Sequence, residues 1–235
     1  MPIKEQTYTH KELDLLVVNI ELTLVSIVQG VALSFLAENS RTVIVTGQYI
    51  FWPYVASGLL IILLFWSRSL MHTFTVIRWP LEFPHNFLYI ASTLLEVIIF
   101  TQLGKPLNWF GLSAAYGCLI WLLFAVDLRM IRRRLEERNK EAARALLLVV
   151  EHEQIYNVRI LMPLAVVFSS IVALAIHYWP ELFLVRRWHV FFALLQLICA
   201  GGYLAYVMRY YKRLLPLMVA AQYEWNGEVM PEEKG

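Results

Sequence analysis

Two carboxylates, Glu21 and Glu96, lie inside long apolar runs of this sequence. Hydrocarbon does not solvate a charge, so such a group must meet a cation, carry a proton or face other polar groups. The chemistry open to it is binding a permeating cation or relaying a proton. The structural alternative is a hydrogen-bonded packing residue. Glu96 falls near the middle of its run, with Ser92 one turn away, whereas Glu21 stands closer to an interface. In the run that holds Glu21, the residues Asn19, Thr23, Ser26, Gly30 and Ser34 recur at helical spacing. At about 100° per residue they share one face, and Glu21 projects nearly opposite. A stripe of this kind lines a hydrated ion path or forms a close helix–helix seam. These eight residues are the candidate pore or ion-path positions.

Other chemistry is not indicated. The six histidines, His10, His72, His85, His152, His177 and His189, show no metal-ligand spacing with one another or with the cysteines. No phosphate-binding glycine loop, dinucleotide fingerprint or nucleophile elbow is present. Cys118 and Cys199 both fall in apolar runs and imply no disulfide framework. The expectation is a protein that is not an enzyme and needs no cofactor or metal.

The elements that position these residues are membrane spans. The chain has 235 residues, 59% of them hydrophobic and 16% charged, against about 45–50% and about 25% in soluble domains. The excess is gathered into blocks long enough to cross about 30 Å of hydrocarbon. The runs predict an all-α polytopic membrane protein, one transmembrane domain over 1–235. Its six helices are expected at about 13–36, 49–66, 87–103, 109–128, 160–179 and 188–209. Short connections at Gly104-Lys105-Pro106 and after Trp179 make tight pairs of spans three and four, and of five and six.

Charge orients the spans. Sixteen of the twenty Lys and Arg fall in alternate connections and the two ends, and four (Arg41, Lys105, Arg186, Arg187) fall on the other side. Basic residues stay on the cytoplasmic side, so both termini are expected there, in the plasma (inner) membrane. Trp52, Trp66, Trp109, Trp179 and Trp188 at span ends fit the headgroup preference of indole. Arg68, just beyond span two, reads as a cation snorkelling to the headgroups.

The connection 129–159 carries eight Lys and Arg and no Gly or Pro, which predicts a cytoplasmic helix that prolongs span four. Arg132, Arg133, Arg134 and Arg138 are its candidate contacts to anionic lipid or to a partner. Its second half, 142–150, is apolar almost all round and should pack under the bundle, on a partner or at the membrane surface. Its basic residues are interleaved with Glu and sit beside lipid, so nucleic-acid binding is not indicated.

The layout resembles the bacterial six-helix members of the endolysosomal potassium channel family. Span one opens with the polar stripe, Phe65-Trp66 closes span two with His72 shortly after, Asn86-Phe87-Leu88 opens span three, and Ala115-Tyr116-Gly117 lies in span four. The likeness runs over about residues 14–127 and is mostly topological. The family's Arg-Phe-Ser-Asp signature is missing, the corresponding region reading Leu15-Leu16-Val17-Val18-Asn19. The resemblance implies a homo-oligomer with the first helix lining a pore. The expected function is therefore a channel or transporter for a small cation or proton. The alternative is a scaffold, sensor or accessory subunit that presents the 129–150 helix to a partner.

Overall fold

A computed structural model describes residues 2–75, 83–137 and 141–226, with the side chains of 2–18, 21, 137, 225 and 226 left out. Seven α-helices follow in order: α1 (Pro2–Val45), α2 (Trp52–Thr75), α3 (Phe83–Phe100), α4 (Pro106–Glu137), α5 (Glu141–Tyr156), α6 (Met162–Tyr178) and α7 (Trp188–Asn226). No strand occurs among the described residues. Six helical stretches are long and apolar enough to cross a membrane, as the sequence predicts: Leu22–Val45, Tyr49–Thr75, Phe83–Phe100, Pro106–Glu136, Glu141–Tyr178 and Trp188–Glu224.

Local chemistry sets the breaks. Helix α1 ends in a Schellman turn, where Gln48 N–H donates to Val43 O and Gly47 N–H to Ile44 O. Gly47 has φ +66°, a conformation glycine takes without strain. Pro106 opens α4, where its missing N–H is not needed. Pro163, near the start of α6, cannot donate to the carbonyl four residues back and its ring would crowd it. Immediately before it, Asn157–Leu161 widens into one π-helical turn, so α5 and α6 form one rod.

The described residues of the basic connection are helical and belong to two helices. Helix α4 prolongs span four to Glu137, while α5 leads straight into span five. The apolar half of α5 turns inward: Leu146, Leu147 and Val150 are buried with Met71, Met130, Ile131, Tyr210 and Leu214. This cluster closes one end of the bundle, the basic end. A middle cluster joins Val25, Phe65, Tyr89, Ile120, Leu123 and Phe124. A larger one around Tyr54, Phe100, Leu103, Trp109, Phe110 and Ile176 fills the far end.

Helix α4 packs most extensively on α6 and α3, and α2 on α7 and α1. Two glycines permit the closest approaches. A Cβ on Gly117 would stand 2.9 Å from Val166 Cγ2, and one on Gly58 would stand 2.9 Å from Leu36 Cδ1. Trp109 turns into the bundle rather than toward headgroups: it is fully buried, and its indole N–H donates to Gln196 Oε1 at 2.9 Å.

Candidate functional site

Among the described residues, two groups of polar side chains inside the bundle bear on function, one at mid-height and one at the basic end. The first is built on α3, whose inward face carries Tyr89, Ser92, Thr93, Glu96, Ile99 and Phe100, a helical stripe of buried positions. Glu96 is 0% exposed and lies between the middle and far apolar clusters. Ser92 and Thr93 spend their hydroxyls on the carbonyls of Leu88 and Tyr89 one turn back. Gln29 of α1 is buried, with its amide facing the Glu96 carboxyl, yet neither side chain completes a well-formed hydrogen bond. Tyr116 of α4 is close enough for its oxygen to interact electrostatically with Glu96. Glu96 is thus a buried carboxyl in amide and phenol company, with no ion-pair partner among the described residues.

The stripe on α1 lies elsewhere. Asn19, Thr23, Ser26, Gly30 and Ser34 are all exposed, while Val25, Gln29, Ala32 and Leu36 face the bundle. Thr23 and Ser26 donate to the carbonyls of Asn19 and Leu22, which satisfies the hydroxyls within the helix. Nothing stands within 4 Å of a Cβ built on Gly30. The structure therefore brings Ser92 and Glu96 together and sets the α1 stripe on an outer face, away from them. Glu21's side chain lies outside the description.

The second group forms where α2, α3, α4 and α5 meet at the basic end. Arg68 and His72 stand one turn apart on α2. Arg68 is not a snorkelling cation; its side chain is only 12% exposed and pairs with Glu153 of α5. Its Nη1 donates to Glu153 Oε1 at 2.7 Å, its Nη2 donates to Gln154 Oε1 at 2.9 Å, and its plane lies over the Phe124 ring. Gln154 in turn donates to Phe124 O.

One turn nearer the basic end, His72 and His85 stack with ring centroids 4.5 Å apart and planes 12° from parallel. Asp127 of α4 reaches both: its Oδ1 is 2.7 Å from His85 Nδ1 and 3.7 Å from His72 Nε2. Arg68, His72, His85, Asp127 and Glu153 all line a cavity of about 40 Å³, room for roughly three or four waters at about 10–15 Å³ each. On the α7 side, Tyr203 donates to Asn157 Oδ1 within the π-helical turn, and Tyr203, Tyr206 and Tyr210 stack along the helix. A π-turn at a polar junction is a common mark of a functional position.

The basic residues of the connection stand at the rim. Arg132 pairs with Glu151 at 2.8 Å, half exposed. Arg133 and Arg134 are engaged by neighbouring groups, and Arg134 acts electrostatically on His72. Arg138 lies outside the described residues.

Sequence spacing did not reveal the second group. His72 and His85 are thirteen residues apart and Asp127 another forty-two on, so only the packing of three helices unites them. The one signal in the chain was Arg68 and His72 at i and i+4 beside the end of an apolar run. Comparison with protein-family models, characterised proteins and solved structures finds no match to this chain.

Proposed function

We propose that this protein is a channel or transporter for a small cation or a proton. It works as a homo-oligomer in the plasma (inner) membrane with both termini in the cytoplasm. The observation that carries this reading is Glu96: a fully buried carboxyl in a span-length helix that faces the Gln29 amide and forms no ion pair among the described residues. An ionised carboxylate there needs a counter-charge, and a passing cation or proton supplies one. Gln29 and Tyr116 offer further oxygen and nitrogen groups at the same level. The exposed α1 stripe supports assembly, because copies meeting along Asn19, Thr23, Ser26, Gly30 and Ser34 would enclose polar and small side chains that one chain leaves facing outward.

The scaffold reading draws less support. Leu146, Leu147 and Val150 of α5 are spent inside the chain, which leaves a partner only Leu148 and Val149 as large exposed apolar side chains in the apolar half of this helix, 142–150.

The test is flux in proteoliposomes under imposed proton and alkali-cation gradients, read by a pH dye and by ion-selective electrodes. Wild type passes one of these ions. Glu96→Gln strongly reduces that flux, while its elution profile and thermal unfolding stay those of wild type. Absence of flux under every gradient, or full flux through a folded Glu96→Gln variant, overturns the reading.

A further inference from the structure

We infer that His72, His85 and Asp127 form a binding site for a divalent transition-metal ion, zinc above all. Each residue offers one ligand atom, and all three atoms lie within 4.8 Å of one another. They come from α2, α3 and α4, and the three residues line the basic-end cavity. His72 Nε2 is buried and has no hydrogen-bond partner. A ring nitrogen in that position, aimed at a carboxylate 3.7 Å away, is placed as a ligand would be.

The spacing suits a small tetrahedral ion. Bonds of 2.0–2.1 Å put neighbouring ligand atoms about 3.3 Å apart. The observed 2.7 Å and 3.7 Å from Asp127 Oδ1 straddle that separation. Metal entry therefore needs shifts of about half an ångström at the Asp127 contacts, loss of the His85–Asp127 contact, and rotation of the stacked His72 and His85 rings so that both nitrogens point at one ion. The cavity leaves room for water as a fourth ligand. Two imidazoles with one carboxylate suit zinc, copper, nickel or iron, whereas calcium and magnesium prefer all-oxygen shells.

The surroundings tune this site. Arg68 lies near enough to act on both His72 and Asp127, but its charge is matched by Glu153. Arg134 brings an opposing positive charge near His72, which argues for moderate affinity. The inference stands on the ligand set and is independent of the transport reading; a bound ion would fasten three span helices at one end.

The test uses the full chain in detergent, freed of any purification tag, stripped with a chelator and dialysed against zinc or cobalt(II). Bound zinc is counted by mass spectrometry, and cobalt is read by visible absorption. Wild type retains one zinc per chain, and its cobalt form shows the strong d–d bands of a tetrahedral nitrogen and oxygen shell. His72→Gln, His85→Gln and Asp127→Asn fall to background, whereas His152→Ala and His177→Ala, at exposed positions, do not. His85 ligates through Nδ1, close to the main chain, so a thiolate at this position reaches nearly as far. His85→Cys accordingly keeps zinc and adds a thiolate-to-cobalt band. Background zinc in wild type, octahedral cobalt spectra, or undiminished zinc in folded His85→Gln and Asp127→Asn overturns the site. Should the ligand variants fail to fold, the wild-type count and spectrum decide alone.

Discussion

Arg68 on α2 and Glu153 on α5 form a largely buried ion pair at 2.7 Å where the span helices meet α5 at the basic end. The pair ties α5 to the bundle through α2. Removing one partner leaves the other charge buried alone, which costs about 3–5 kcal/mol, whereas replacing both by apolar side chains of similar volume is nearly neutral. Arg68→Ala should therefore unfold at markedly lower temperature in detergent, and Arg68→Met with Glu153→Leu should recover most of the loss. A single variant as stable as wild type would mean that water reaches Glu153.

Gly117 predicts a different kind of damage. A Cβ at this position meets Val166 Cγ2 at 2.9 Å, and Val166 is branched next to its backbone, so it has little freedom to turn away. Helices α4 and α6 share the most extensive packing in the bundle. Gly117→Ala should cost about 1–3 kcal/mol, and Gly117→Leu should prevent stable assembly of the bundle. Gly30→Ala, with open space around its Cβ, should leave monomer stability near that of wild type. Thermal unfolding in one detergent compares all three.

At the far end, the Tyr54 hydroxyl sits 2.8 Å from His189 Nδ1, both side chains buried, with Trp109 packed edge-on against the tyrosine ring. Tyr54→Phe keeps the ring and loses the hydrogen bond, so it should destabilise by about 0.5–1.5 kcal/mol. Tyr54→Ala also empties a packed site and should cost about 3–5 kcal/mol, as for other large aromatics. Denaturant or thermal unfolding separates the two. Equal losses would mean that the hydrogen bond, not the ring, holds α2 to α7.

Much of the fold was legible because burial in lipid demands it: apolar runs of span length admit little but helices, and six were found where six were expected. The ends were less legible. Span one continues past residue 36 to Val45, since Glu38, Asn39 and Ser40 are as compatible with helix as the residues before them and only Gly47 stops it. Polar readings by position located Glu96 as an intramembrane carboxyl, because its isolation in an apolar run is visible locally, and the structure sets it deep in the bundle. They failed for Arg68 and Trp109, which look interfacial by position. Whether a residue at a span end meets headgroups or another helix depends on neighbours far away in the chain, here Glu153 and Gln196. Asp127 escaped notice for the same reason: only the packing of α2 and α3 against α4 shows it hydrogen-bonded to His85 and 3.7 Å from His72.

Charge placement predicts which end of the bundle faces the cytoplasm. Arg132 is exposed at the basic end, and Lys105 is exposed in the turn between α3 and α4 at the opposite end. The native Cys118 and Cys199 are surface-exposed within span helices, so in a bilayer they meet lipid and should resist a membrane-impermeant maleimide. In a background with both replaced by Ser, Lys105→Cys should label on intact cells. Arg132→Cys should label only after permeabilisation, because keeping the basic connection inside avoids moving its eight cations across hydrocarbon. Labelling of Arg132→Cys on intact cells would reverse the molecule and put the His72, His85 and Asp127 cluster on the outer side, in reach of extracellular metal.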